Sequence, residues 1–187
     1  MRYIDLVWKY FVIIGMGILM FYLDDREFFD YKITLTIICL LSFLKSAYFV
    51  SVSYRKIIEA SVREIAYHAF MAFMMLNIAM IIFSFAVDFS CLNQVNPKSF
   101  IGIEPGLNFW ETQFEFWYFS VLNFSFFGYG QIMPLTISAK IVIIFEVIIS
   151  FLTIVFILSD FISLKESITE RIAKKGKWFY SIEYLSE

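Results

Sequence analysis

Residues 118–134 read Y-F-S-V-L-N-F-S-F-F-G-Y-G-Q-I-M-P. An aromatic, apolar run passes directly into Gly-Tyr-Gly and closes on a proline. Gly128 and Gly130 give the backbone there access to conformations that residues with a Cβ avoid. The run belongs to a stretch of fifty residues, 88–137, that separates two long apolar segments. An ordinary helix connection is far shorter. All three prolines and four of the seven glycines fall in this stretch, yet its second half is nearly as aromatic as a membrane span. A connection that begins polar, turns apolar and ends in Gly-Tyr-Gly reads as a segment that dips into a membrane and returns. Non-helical backbone persists at that depth only where it is buried in protein or lines water. The competing reading is an aromatic-rich loop lying at the membrane interface.

The rest of the chain supplies the membrane. Of 187 residues, 60% are hydrophobic and 21% aromatic, against 17% charged, with a net charge of −2. Soluble domains average roughly 45–50% apolar, and one of this length has too little interior to hide so many Phe, Ile and Tyr side chains. The near-neutral charge, without a basic run, argues against a nucleic-acid partner. Four stretches, 6–23, 33–54, 65–87 and 138–159, are long enough to cross a hydrocarbon core of ~30 Å. The first ends in Asp24 and Asp25 without a small-residue cleavage site, and reads as a span. With the N-terminus cytoplasmic, ten Lys and Arg fall on inner segments and four on outer ones, so both termini are expected inside. The expected fold class is an all-α membrane protein: four transmembrane helices, with a re-entrant helix and loop between the third and fourth.

The 118–134 run resembles the pore loop of the tetrameric potassium-channel family, whose prokaryotic members often read close to Y-F-S-V-x-T-x-T-T-V-G-Y-G-D-I-x-P. Tyr118, Phe119, Ser120, Val121, Gly128, Tyr129, Gly130, Ile132 and Pro134 match. Lys140 and Glu146 in the following span also have frequent counterparts in that family. The resemblance covers 65–163 and implies a pore domain there, a two-helix peripheral region at 1–64 and a short cytoplasmic tail at 164–187. It implies a homotetramer in a plasma membrane, with lipids as its other partners. A filter at Phe126, Phe127, Gly128, Tyr129 and Gly130 would act through backbone carbonyls that replace a cation's hydration shell. A pore helix over 111–125 would aim its C-terminal partial charge at that cation. The permeant ion would be K⁺, with Na⁺ not excluded by the sequence, and no cofactor is implied.

The departures from the family cluster at the filter. Phe126 and Phe127 stand where the family carries Thr and Val. A Phe ring offers an ion no oxygen, so either four rings crowd the axis or the lower filter has another geometry. Ser125 keeps a hydroxyl one position earlier. Gln131 replaces an Asp, and Tyr118 stands at the matching pore-helix position, so a Tyr–Gln clamp is the expected filter support. Ser150 lies twenty residues after Gly130, where the inner helix commonly hinges at glycine. Glu146 and Ser150 are therefore the candidate pore or gate residues of the inner helix. Glu146 has three other readings: a pair with a neighbouring span, a pair with Lys45, or an anchor behind the filter.

Lys45 within a span is a functional candidate, or its stem snorkels to the interface. His68 reads as a pH sensor or as an ordinary interfacial histidine. No span carries an Arg, so a voltage sensor of serial arginines is excluded. No nucleophile–base pair or metal cluster suggests an enzyme. Two functional readings follow: a cation channel of atypical selectivity, or a poorly conducting channel-like scaffold or regulatory subunit.

Overall fold

Long apolar segments form helices because each backbone N–H and C=O must find its partner within the segment at membrane depth. The computed structural model describes residues 31–63, 67–128 and 130–159, together with Gly15. The first expected span, the tail and Tyr129 lie outside these residues, as does the side chain of His68. Four helices are described: α1 (Tyr31–Arg63), α2 (Tyr67–Val95), α3 (Phe109–Phe124) and α4 (Ile137–Ser159). Two short strands, β1 (Phe100–Ile101) and β2 (Met133–Pro134), pair antiparallel. Helices α1, α2 and α4 are long and apolar enough to cross a membrane. The shortest of them, 23 residues, reaches about 35 Å. The chain is a mostly helical integral membrane protein.

Contacts between the long helices fix their directions. Ser42 and Lys45 of α1 meet Asp88 of α2, and Ser53 accepts from Asn77 Nδ2 at 3.0 Å. Rising numbers in α1 meet falling numbers in α2, so these two run antiparallel. Cys39 donates to the Ser138 carbonyl at 3.9 Å, Phe43 packs on Phe145 at 5.6 Å, and Tyr54 packs on Phe156 at 6.4 Å. Helices α1 and α4 therefore run parallel, and α2 and α4 are opposed.

The third apolar segment ends later than its sequence suggests. Its helix runs through Asp88 to Val95 instead of stopping at 87. Asp88 does not interrupt it because the carboxylate is paired: Lys45 Nζ donates to Oδ1 at 2.5 Å and Ser42 Oγ to Oδ2 at 2.7 Å. Beyond it Phe89, Cys91 and Leu92 are buried and continue the apolar face. The helix stops where Pro97 withdraws a donor and disfavours helical backbone before it. Phe89 then forms the hub of an aromatic cluster with Phe100, Phe116 and Phe119, at ring-centroid distances of 5.3 to 6.4 Å. That cluster joins α2, β1 and α3, mostly in the edge-on arrangements that aromatic quadrupoles favour.

The Lys45–Asp88 pair is almost wholly buried. Removing one member of a buried ion pair typically costs about 3–5 kcal/mol, whereas replacing both by apolar groups is often neutral. Lys45→Met should therefore lower the thermal midpoint of the purified protein sharply, and Lys45→Met with Asp88→Leu should recover most of it. A double variant no more stable than the single one would contradict this pairing.

Candidate functional site

The strands close the 102–132 segment into an excursion that leaves and returns at one end of the helices. β1 lies just after α2, β2 lies just before α4, and Phe100 and Ile101 are in register with Pro134 and Met133. Leu135 N–H donates to the Ser99 carbonyl at 2.8 Å, extending the closure. Gly102 makes the approach possible. Its φ is +89°, and a Cβ there would lie 1.8 Å from the Gln131 carbonyl oxygen. The backbone leaving the Gly-Tyr-Gly run is thus braced from outside by the polar half of the connection.

Within the excursion, α3 is capped at both ends. At its start, Asn108 Oδ1 accepts from Glu111 N–H at 3.0 Å and Glu111 Oε2 accepts from Asn108 N–H at 2.8 Å, a reciprocal capping box. At its end, Phe127 N–H donates to the Leu122 carbonyl and Phe126 N–H to the Asn123 carbonyl, each at 3.1 Å. These are the two bonds of a Schellman motif, whose C′ position takes a left-handed residue, usually glycine. Phe126 occupies that position with φ +59°. Ser125 N–H donates to the Val121 carbonyl, and the Ser125 hydroxyl turns back onto the Val121 and Leu122 carbonyls at 2.8 and 3.2 Å.

Helix α3 has sixteen residues, about 24 Å, and it sinks beside the long helices. Its Ser120 is fully buried. Ser120 Oγ donates to the Ile82 carbonyl at 2.9 Å and makes a short hydrogen bond with Glu146 Oε1. Ile82 lies thirteen residues before the end of α2, and Glu146 nine residues after the start of α4. At 1.5 Å per residue these positions are roughly 14–20 Å below the helix ends. Ser120 therefore meets both long helices near mid-length.

The expected site residues divide by environment. Gly128 has φ +62°, and a Cβ there would meet the Phe126 carbonyl oxygen at 4.0 Å, whereas Gly130 rests on Leu122 and Phe119 of α3. Phe126 is half-exposed and Phe127 is 71% exposed, so neither ring packs behind the loop within this chain. Tyr118 and Gln131 line one cavity of about 380 Å³ with Phe114, Glu115 and Gly130. Among the described residues no hydrogen bond joins Tyr118 to Gln131, and the Gln131 backbone lies close against Gly102. Glu146 and Ser150 are completely buried. They lie on the protein-facing side of α4, and Ser150 donates to the Glu146 carbonyl at 2.7 Å. Glu146 does not pair with Lys45, which takes Asp88.

The exposed stripe of α4 is apolar, with Ile137, Ile144, Ile148, Phe151, Val155 and Leu158 along it. Residues absent from the sequence-based candidates are Asp88, Ser42, Ser120 and Gly102. Asp88 had a signal, since a carboxylate adjoining an apolar segment that faces a span with a lysine is a candidate ion pair. Gly102 had none, because its close approach is to a residue 29 positions away.

Comparison with protein-family models, with curated proteins and with solved structures finds no match. The local geometry yields its own test. Left-handed backbone costs a residue with a Cβ about 1–2 kcal/mol. Phe126→Gly should therefore raise the thermal midpoint by the equivalent of about 1 kcal/mol. Asn108→Ala, which removes the N-cap, should lower it by about 1 kcal/mol. A fall in stability for Phe126→Gly would mean that the ring makes contacts that outweigh the strain.

Proposed function

We propose that this chain is one subunit of a tetrameric cation channel of the potassium-channel type, conducting passively through the carbonyls of residues 126–130. One observation carries the reading most directly. A short, doubly capped helix ending in a Gly-Tyr-Gly run enters and leaves at one end of two opposed membrane-length helices, and contacts both near mid-length. Irregular backbone at such depth is tolerated where it is covered by protein or faces water. Phe126, Phe127 and Gly128 are uncovered within one chain, and three further copies around an axis would cover them. Trp110, Phe114 and Trp117 of α3 are likewise exposed and suit contacts between subunits. In this reading a fourth span at 6–23 completes the subunit, the termini are cytoplasmic, and the membrane is the plasma membrane.

A second reading, a channel-like scaffold that conducts poorly, is favoured by Phe126. Its left-handed cap ends the helix where the family offers a threonine hydroxyl, and it places a bulky ring beside the loop.

Purified protein reconstituted in liposomes should pass K⁺ down its gradient, measured beside Na⁺ under matched gradients. Phe126→Thr with Phe127→Val should leave that flux intact or increase it. No flux from verified tetramers, restored by the double substitution, would favour the scaffold reading. No flux from either protein would count against both the conduction path and the assigned filter.

A further inference from the structure

Behind the loop, the hydrogen bonds around Glu146 are short of one hydrogen. Ser120 Oγ has a single proton to donate, and two oxygens compete for it. The Ile82 carbonyl lies at 2.9 Å and can only accept. Glu146 Oε1 is the hydroxyl's second partner, and in a carboxylate it too can only accept. A single proton can be shared between two acceptors, as the Ser125 hydroxyl shares its own; both Ser120 contacts become full two-centre hydrogen bonds when one acceptor carries a hydrogen, and only the carboxyl can. The other carboxyl oxygen gives a second clue. Glu146 Oε2 and Asn123 Nδ2 are both buried without a hydrogen-bond partner, although the Asn123 amide lies near this carboxyl.

We infer that Glu146 is a proton-binding site, occupied in the folded protein, and that the bound proton ties α3 to α4. With Oε1–H donating to Ser120 Oγ, Ser120 is free to donate to the Ile82 carbonyl. Oε2 remains as a carbonyl-type acceptor for the Asn123 amide. One proton thus completes a chain that runs from α4 through α3 to α2. Charge counting agrees. The charged group among the described residues that acts on Glu146 is Asp88 of α2. Asp88 already engages Lys45 of α1, and α3 contributes only the neutral Ser120 and Asn123. An ionised Glu146 would leave two carboxylates sharing one cation in a layer where unpaired charge is costly. Glu146 is a positioning residue in this account. It fixes the helix that carries the loop, whether or not the loop conducts.

Infrared spectroscopy of the full protein in lipid vesicles tests this without requiring ion flux. At neutral pH, wild type should display the carbonyl stretch of a protonated, hydrogen-bonded carboxylic acid, and Glu146→Gln should lose that band. Gln can donate to Ser120 as the neutral acid does, so Glu146→Gln should also retain the wild-type thermal midpoint. Glu146→Asp, one methylene too short to reach Ser120, should lower it and shift or lose the band. Should Glu146→Gln fold poorly, Ser120→Ala serves instead, moving the band to the frequency of a less strongly bonded acid. An unchanged spectrum in Glu146→Gln, or in Ser120→Ala, would overturn the inference.

Discussion

Two carboxylic side chains, Asp88 and Glu146, cannot be left unpaired at membrane depth, and the packing of the described helices follows from how each is satisfied. Asp88 takes Lys45 and Ser42 from α1, which fixes the peripheral helix against α2. Glu146 takes Ser120 from α3, which fixes the short helix against α4. Between helices whose outer faces are apolar, burial alone discriminates poorly, because lipid is as apolar as leucine. Polar contacts then decide register. The Ser120 hydroxyl also reaches the Ile82 carbonyl, so one side chain sets the depth of α3 against two helices at once.

The loop that follows inherits its geometry from the end of α3. A Schellman cap commits Phe126 to left-handed backbone and engages the Leu122 and Asn123 carbonyls. The Ser125 hydroxyl satisfies the Val121 and Leu122 carbonyls as well. The hydroxyl that Ser125 keeps, one position before the threonine of the potassium-channel pattern, completes the helix end. On the far side, the Gly102 approach braces Gln131 through the main chain, where a side-chain clamp from Tyr118 is the expectation drawn from the family pattern. The loop is held at both ends by backbone hydrogen bonding and close packing.

Much of this was legible in the sequence. Apolar length located α1, α2 and α4, and the helix implied by the pore-loop resemblance located α3 within two residues at its start. The polar residues of the fourth segment, Glu146 and Ser150, were visible, but not the direction they face. Helical period places them on one side without saying whether that side meets protein or a pore, and the answer depends on α3 packing there. Asp88 carried a signal that could be read two ways, for a related reason. A charge at the edge of an apolar segment reads as its end until the partner that neutralises it is known, and Lys45 lies 43 residues away. Gly102 and Gln131 meet only because β1 and β2 pair, and two-residue strands carry no periodicity.

In the proposed channel, four copies of the 118–134 segment meet around a common axis and present carbonyls to a cation. A cryo-electron microscopy map of the full protein, reconstituted in lipid in the presence of K⁺, tests it most directly. The map should show a four-fold assembly in which residues 126–130 line the axis, α3 of each copy points its C-terminal end toward the centre, and density for ions lies between the carbonyls. An assembly of another order, or one whose Gly-Tyr-Gly segments face lipid away from the symmetry axis, would contradict it.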